Sequence, residues 1–197
     1  MISDEMIKLV EGSSAIRAMF EEGKKLASIY GAENVYDYSL GNPSVEPPKE
    51  VKEAIIKILN TEEPNFIHGY TNNSGFEDVR QQVAEYTNRK FGTSFSYENV
   101  VMTNGAAAAL NIIFRCILNP GDEIITFAPF FTEYRNYVAS YGCNLTIVPA
   151  NTETFEVNFD EFEKLITPKT KGILMNTPNN PSGVVYSEET IKKIAAV

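Results

Sequence analysis

A chain of 197 residues, 43% hydrophobic and 22% charged, has the size and composition of one sizeable globular domain, or of one domain with part of another. A formal net charge of −9 with no basic stripe argues against nucleic acid or an anionic membrane as a partner, since both reward clustered Lys and Arg. The first residues carry neither a positive n-region nor an apolar h-region, and the apolar run at 106–110 is too short to span a bilayer, so a cytoplasmic location is expected.

Ile16, Met19, Phe20, Gly23, Leu26, Ala27 and Tyr30 recur at three- and four-residue spacing, and Gly31 follows as a stop, which predicts an amphipathic helix over 14–30. The stretch Tyr38-Ser39-Leu40-Gly41-Asn42-Pro43 breaks that regularity. Pro47-Pro48 then opens a second helix with Val51, Ala54, Ile55 and Ile58 on its apolar face, which places a boundary between an N-terminal region, 1–47, and the remainder, 48–197. A third helix over about 76–90 is carried by Val79, Val83 and Tyr86, after the turn-rich Gly69-Tyr70-Thr71-Asn72-Asn73-Ser74-Gly75.

From residue 98 onward, short apolar runs alternate with helical stretches. Val100-Val101-Met102 reads as a strand, followed by an Ala-rich helix through Ile113, the turn Pro120-Gly121-Asp122 and a strand at 124–127. Helix at 131–140, strand at 145–148, helix at 159–166, strand at 172–175 and a helix from 188 complete the pattern. The alternation predicts an α/β fold of three layers, a mostly parallel sheet with helices on both faces, preceded by an N-terminal helical segment. In such a sheet the carboxyl ends of the strands gather on one edge, where α/β proteins bind ligands.

Three motifs sit just past predicted strands. Gly105-Ala106-Ala107-Ala108 opens a helix with unpaired backbone N–H groups and no bulky side chain, which suits a phosphate, or simply a small helical face packed on the sheet; it is neither a Walker loop nor GxGxxG. Phe130 and Phe131, after Ala128-Pro129, read either as core aromatics or as a ring laid flat against a planar ligand. Asn176-Thr177-Pro178-Asn179-Asn180-Pro181-Ser182-Gly183 packs eight turn-forming residues behind Ile173-Leu174-Met175, and can hold one side chain in an unusual but reproducible position. Tyr70 is a phenol in a Gly/Asn-rich loop, able to donate to an anion or simply to face solvent. Cys116 and Cys143 lack metal or CxxC spacing and read as buried small hydrophobes, while His68, the single histidine, has no convincing triad partner and reads as structural.

Taken in order, Gly41-Asn42-Pro43, Gly69-Tyr70-Thr71 with Gly75 and Arg80, Thr103-Asn104-Gly105-Ala106, Pro120-Gly121-Asp122, Pro129-Phe130-Phe131 with Tyr134, and Asn179-Asn180-Pro181-Ser182-Gly183 resemble the class I/II aminotransferases, the aspartate aminotransferase group of fold-type I pyridoxal phosphate enzymes. The resemblance runs from about residue 38 to the end. It implies pyridoxal 5′-phosphate as cofactor, amino acids and 2-oxo acids as substrates, and a homodimer. It implies that Gly105, Ala106 and Ala107 hold the cofactor phosphate and that Phe131 stacks on the pyridine ring, with Phe130 as the fallback. It further implies that Asn180 donates to the phenolic O3′, that Tyr70 reaches the phosphate of the neighbouring subunit, and that Gly41 meets the substrate carboxylate. In similar proteins the Ala128-Pro129 and Asn180-Pro181 bonds are often cis. On this resemblance 1–47 is an N-terminal arm with part of a small domain, and 48–197 is the first part of a large cofactor-binding domain.

The family's Schiff-base lysine, the acidic partner of the pyridinium nitrogen and the substrate-carboxylate arginine all lie downstream of the Asn-Pro motif. Lys169 and Lys171 precede it and match no catalytic position. The resemblance therefore implies the N-terminal half of a transaminase, with no catalytic residue of its own and expected to be inactive alone. A β-lyase of sulfur amino acids shares the same pocket and is the alternative activity; a catalytically inactive binding module is the alternative of another class.

Overall fold

The computed structural model describes the backbone of residues 2, 4–38 and 45–197 and, within the first helix, the side chains of residues 6, 7 and 18–30. The chain forms two compact units, Met1–Thr71 and Asn72–Val197.

The first unit is helical: α1 (Asp4–Tyr30), a 3-10 turn (Ala32–Asn34), α2 (Lys49–Thr61) and the single turn α3 (Pro64–Ile67). The expected helix at 14–30 begins ten residues earlier than its apolar spacing suggests. Gly31 ends it, at φ +86, with its N–H donating to Ala27 O at 3.0 Å. Val51, Ile55 and Ile58 share a face of α2, as their spacing predicts, yet remain about half exposed.

In the second unit, α4 (Glu77–Phe91) closes on Gly92 in the left-handed conformation. Asn88 then staples the following loop: its amide donates to Phe95 O at 2.8 Å, and its Oδ1 accepts from Phe95 N and Thr93 Oγ1, each at 2.8 Å. Ser96 and Asn99 cap each other across a 3-10 turn (Tyr97–Asn99). The strand expected at Val100-Val101-Met102 is not formed. Val100 has extended angles, but no strand lies alongside among the described residues; Val100 N–H turns back to Tyr97 O at 3.1 Å and Met102 N–H is held by Ser74 O at 3.0 Å.

The sheet has three strands, β1 (Glu123–Phe127), β2 (Asn144–Val148) and β3 (Thr170–Leu174), in the order β2-β1-β3. Every pairing is parallel: Glu123 to Phe127 align with Asn144 to Val148, while β3 pairs with a register shift between Glu123 and Ile124. The helices α5 (Gly105–Ile117), α6 (Tyr134–Ala139), α7 (Phe159–Leu165) and α8 (Glu188–Ala195) complete three layers. Successive residues of β1 face opposite layers. Ile124 packs with Phe114 of α5, Val138 of α6 and Cys143, whereas Ile125 and Phe127 pack with Val148, Phe162 of α7 and Ile194 of α8. Both faces are covered, which is why β1 reads as a near-continuous apolar run. Cys143 is buried as expected, but Cys116 is exposed, because it lies on the side of α5 turned away from Phe114 and the sheet.

Candidate functional site

The start of α5 is shaped by one tight turn. Asn104, at φ −78 and ψ 60, sits in an inverse γ-turn, and the Gly105 N–H donates back to Thr103 O at 2.9 Å. Thr103 Oγ1 donates to Gly105 O at 3.0 Å and fixes the same turn from its side chain. Gly105 takes φ +84, and a Cβ built there meets nothing within 4 Å, so conformation rather than crowding demands glycine. With the Gly105 donor consumed by the turn, the N–H groups of Ala106 and Ala107 have no acceptor among the described residues. No side chain caps this end, and no acidic residue lies in its first turn. Ala106 and Ala107 are exposed. Such an end offers an anion aligned donors and the positive pole of a helix, with nothing bulkier than a methyl group in the way.

Phe114, near the C-terminus of α5, packs with Ile124 at the beginning of β1. The helix thus leads down to the amino end of β1, and its own N-terminus lies toward the carboxyl end, where the other two motifs emerge.

After β1, Ala128-Pro129 is cis, and so is Asn180-Pro181 after β3, both as the resemblance implies; Thr177-Pro178 is cis as well, which was not foreseen. Phe131 is 37% exposed and meets Tyr134 edge-on, with ring centroids 5.7 Å apart. Phe130 stacks on Tyr134 at 6.4 Å and lines a shallow cleft with Thr126, Tyr134, Asn176, Asn179 and Tyr186. Thr126 forms its floor, fully buried, donating from Oγ1 to Leu174 O at 2.8 Å and so joining β1 to β3. Burial pushes the Tyr134 and Tyr186 phenols above their ordinary value, with Tyr137 adding to the first and Glu156 to the second. Both therefore stay neutral donors near pH 7.

The loop after β3 divides its two adjacent asparagines between different tasks. Asn179 is 7% exposed, and its side-chain oxygen and both backbone groups are engaged. Its Oδ1 accepts from Ser182 N and Ser182 Oγ at 3.1 and 2.8 Å, its N–H donates to Val184 O at 2.8 Å, and its carbonyl accepts from Gly183 N–H at 2.7 Å. Asn180 is exposed and makes no hydrogen bond among the described residues, so its amide is presented rather than spent. Asn176 donates through Nδ2 to Pro178 O at 3.0 Å, while its Oδ1 is buried without a partner.

Gly105, Ala106, Ala107, Phe131 and Asn180 therefore belong to one unit and emerge from one end of its sheet. Tyr70 belongs to the first unit, where it is fully exposed. Gly41 lies outside the described residues. Thr126 and Tyr186 were not singled out from sequence, and Asn176 and Asn179 were read only as parts of the turn-rich loop. The alternation along β1 is the signal that could have placed Thr126, and the apolar Val184-Val185 beside Tyr186 is the signal for that tyrosine. Among the described residues there is no group of His, Cys, Asp and Glu able to hold a metal ion, and no helix long and apolar enough to cross a membrane.

Residues 32–197 match the family model "Aminotransferase class I and II". An aspartate aminotransferase of Thermotoga maritima is 32% identical over 177 residues, covering 89% of this chain and 46% of its own length. A probable N-acetyl-LL-diaminopimelate aminotransferase of Bacillus subtilis is 33% identical over 166 residues, 84% of this chain and 41% of the relative. Among solved structures, an amino transferase from Eubacterium rectale superimposes with a TM-score of 0.92 at 46% identity, covering all of this chain and 50% of that one. The chain belongs to the class I and II aminotransferases, and its sheet and helices are part of the fold-type I large domain. It spans about half the length of the relatives it matches.

Proposed function

We propose that this chain supplies the N-terminal half of a pyridoxal 5′-phosphate site in an enzyme that moves an amino group between an amino acid and a 2-oxo acid. The observation that carries the reading is the α5 N-terminus: two unpaired N–H groups, no cap, no acidic residue, and exposed alanines in a family that uses this cofactor. Bound there, the cofactor would supply an electron sink for chemistry at the amino acid's α-carbon.

In this reading the Ala106 and Ala107 amides hold the phosphate, and Gly105 contributes the backbone turn that exposes them rather than its own N–H. Phe131 offers a ring face to the pyridine, with Phe130 lining the neighbouring cleft. Asn180 donates its amide to the O3′ oxygen and favours the ionised form of that oxygen, while Asn179 holds the loop that presents it. Tyr70 reaches the phosphate of the neighbouring subunit in a homodimer, and Gly41 meets the substrate carboxylate. The division into an arm at 1–47 and a cofactor-binding region at 48–197 belongs to the same reading. No lysine of this chain matches the Schiff-base position, so residues 1–197 alone are expected to bind the cofactor without turning substrate over.

Calorimetric titration of the protein with pyridoxal phosphate, repeated in excess inorganic phosphate, tests this. Binding that phosphate displaces, weakened in Asn180→Ala, is the expected result. Binding indifferent to phosphate would remove the α5 assignment, and turnover by residues 1–197 alone would remove the expectation of inactivity.

A further inference from the structure

The segment that delivers the α5 turn has no sheet to hold it. Residues 100–102 lie outside any ladder, yet three contacts fix them. The Met102 N–H donates to Ser74 O at 3.0 Å, within a turn closed by Gly75 N–H on Asn72 O at 2.8 Å. Arg80 Nη1 donates to Val100 O at 3.3 Å. Gly75, at φ +94, lies so close to Met102 that a Cβ on it would sit 2.7 Å from Met102 Cγ and 2.9 Å from its Cβ. Arg80 is itself held in place, its guanidinium 5.2 Å from the ring centroid of Tyr97, whose N–H donates to Gln81 Oε1 at 3.3 Å. Arg80 Nε is buried without an acceptor, so the side chain is kept here despite an unmet donor.

We propose that Gly75 and Arg80 are positioning residues for the phosphate turn, clamping residues 100–102 so that the Ala106 and Ala107 donors converge on one point; this rests on the reading of that turn as the phosphate site. The coupling is short. Met102 is bonded directly to Thr103, whose carbonyl accepts the Gly105 N–H that shapes the turn. Planar peptide units leave little slack over so few bonds, and N–H···O bonds weaken steeply once distance and angle drift. A side chain at Gly75 would have to push Met102 aside, and loss of the Arg80 donor would free Val100.

The test compares the affinity of the intact chain for pyridoxal phosphate with that for pyridoxal, which keeps the ring and lacks the phosphate. The wild-type protein is expected to prefer the phosphorylated ligand. Gly75→Ala and Arg80→Met should each weaken pyridoxal phosphate binding about tenfold, the worth of one charge-assisted hydrogen bond, and leave pyridoxal binding unchanged. Phe162→Leu, in the core on the α7 side, should lower stability and leave the preference intact. Should Gly75→Ala fail to fold, Arg80→Met decides alone. A folded variant that retains the full preference overturns the clamp, and so does an equal loss for both ligands, which marks a general structural role. A wild-type protein with no preference overturns the phosphate reading itself.

Discussion

Two kinds of helix start lie within the second unit, and they are opposites. α7 and α8 are closed by side chains: Asn158 accepts from Glu161 N at 3.2 Å and Ser187 from Thr190 N at 3.0 Å, with Asp160 and Glu161, or Glu188 and Glu189, in the first turn. One free donor of each is satisfied by its cap and their dipoles are complemented, an arrangement that favours helix stability. α5 has neither a cap nor an acid, and its first turn is Gly-Ala-Ala-Ala. Any Ser, Asp or Glu there would stabilise the helix, so the vacancy costs stability and has its use in what it leaves accessible. The short α6 also lacks a side-chain cap and an acid in its first turn, so what sets α5 apart is the combination of an unfilled end with exposed alanines and a turn that uncovers its donors.

The largest effect expected on the capped side comes from the core behind it. Phe162 of α7 is fully buried against Phe127, with ring centroids 5.2 Å apart. Phe162→Ala should cost about 3–5 kcal/mol in a urea titration. A sharper discriminator is Ala106→Asp. A carboxylate in the first turn of α5 should leave the thermal midpoint unchanged or raise it slightly, while weakening pyridoxal phosphate binding by about 1–2 kcal/mol through repulsion of the anion it replaces. Loss of stability without loss of binding would sink the contrast between the two kinds of start. Ser187→Ala should behave in the reverse sense, losing about 1 kcal/mol of stability with no change in cofactor affinity.

The smallest effect concerns pH. Tyr134 and Tyr186 hold their protons more tightly folded than unfolded, so their contribution is complete below the ordinary tyrosine value of 10.0 and is lost as pH rises above it. The urea midpoint should therefore decline at pH above 10, and Tyr186→Phe should shallow that decline. An unchanged slope in the variant would mean that Tyr186 contributes nothing to it.

Much of this was legible in the chain because its patterns are local. The alternation of apolar runs and helices gave the layers, and the Asn-Pro loop and the Ala-rich helix start could be read as turns and donors from residue type alone. What escaped was whatever depends on neighbours. Val100-Val101-Met102 has strand composition, but a strand needs another beside it, and none is described. Asn179 and Asn180 are chemically identical in sequence, and only the fold shows which one is tied to Ser182. Likewise Gly105 could be assigned to the phosphate from its position, yet the γ-turn directs its N–H to Thr103 and leaves the donors that follow.

β1 has a consequence for how this unit comes apart. Ile124 and Ile125 are adjacent, both essentially inaccessible, and each anchors a different core. Neither layer can melt while the other keeps its central strand in register, because the strand is common property. The two layers should consequently lose structure in one cooperative transition, registered at the same denaturant concentration by a probe on α5 and a probe on α8.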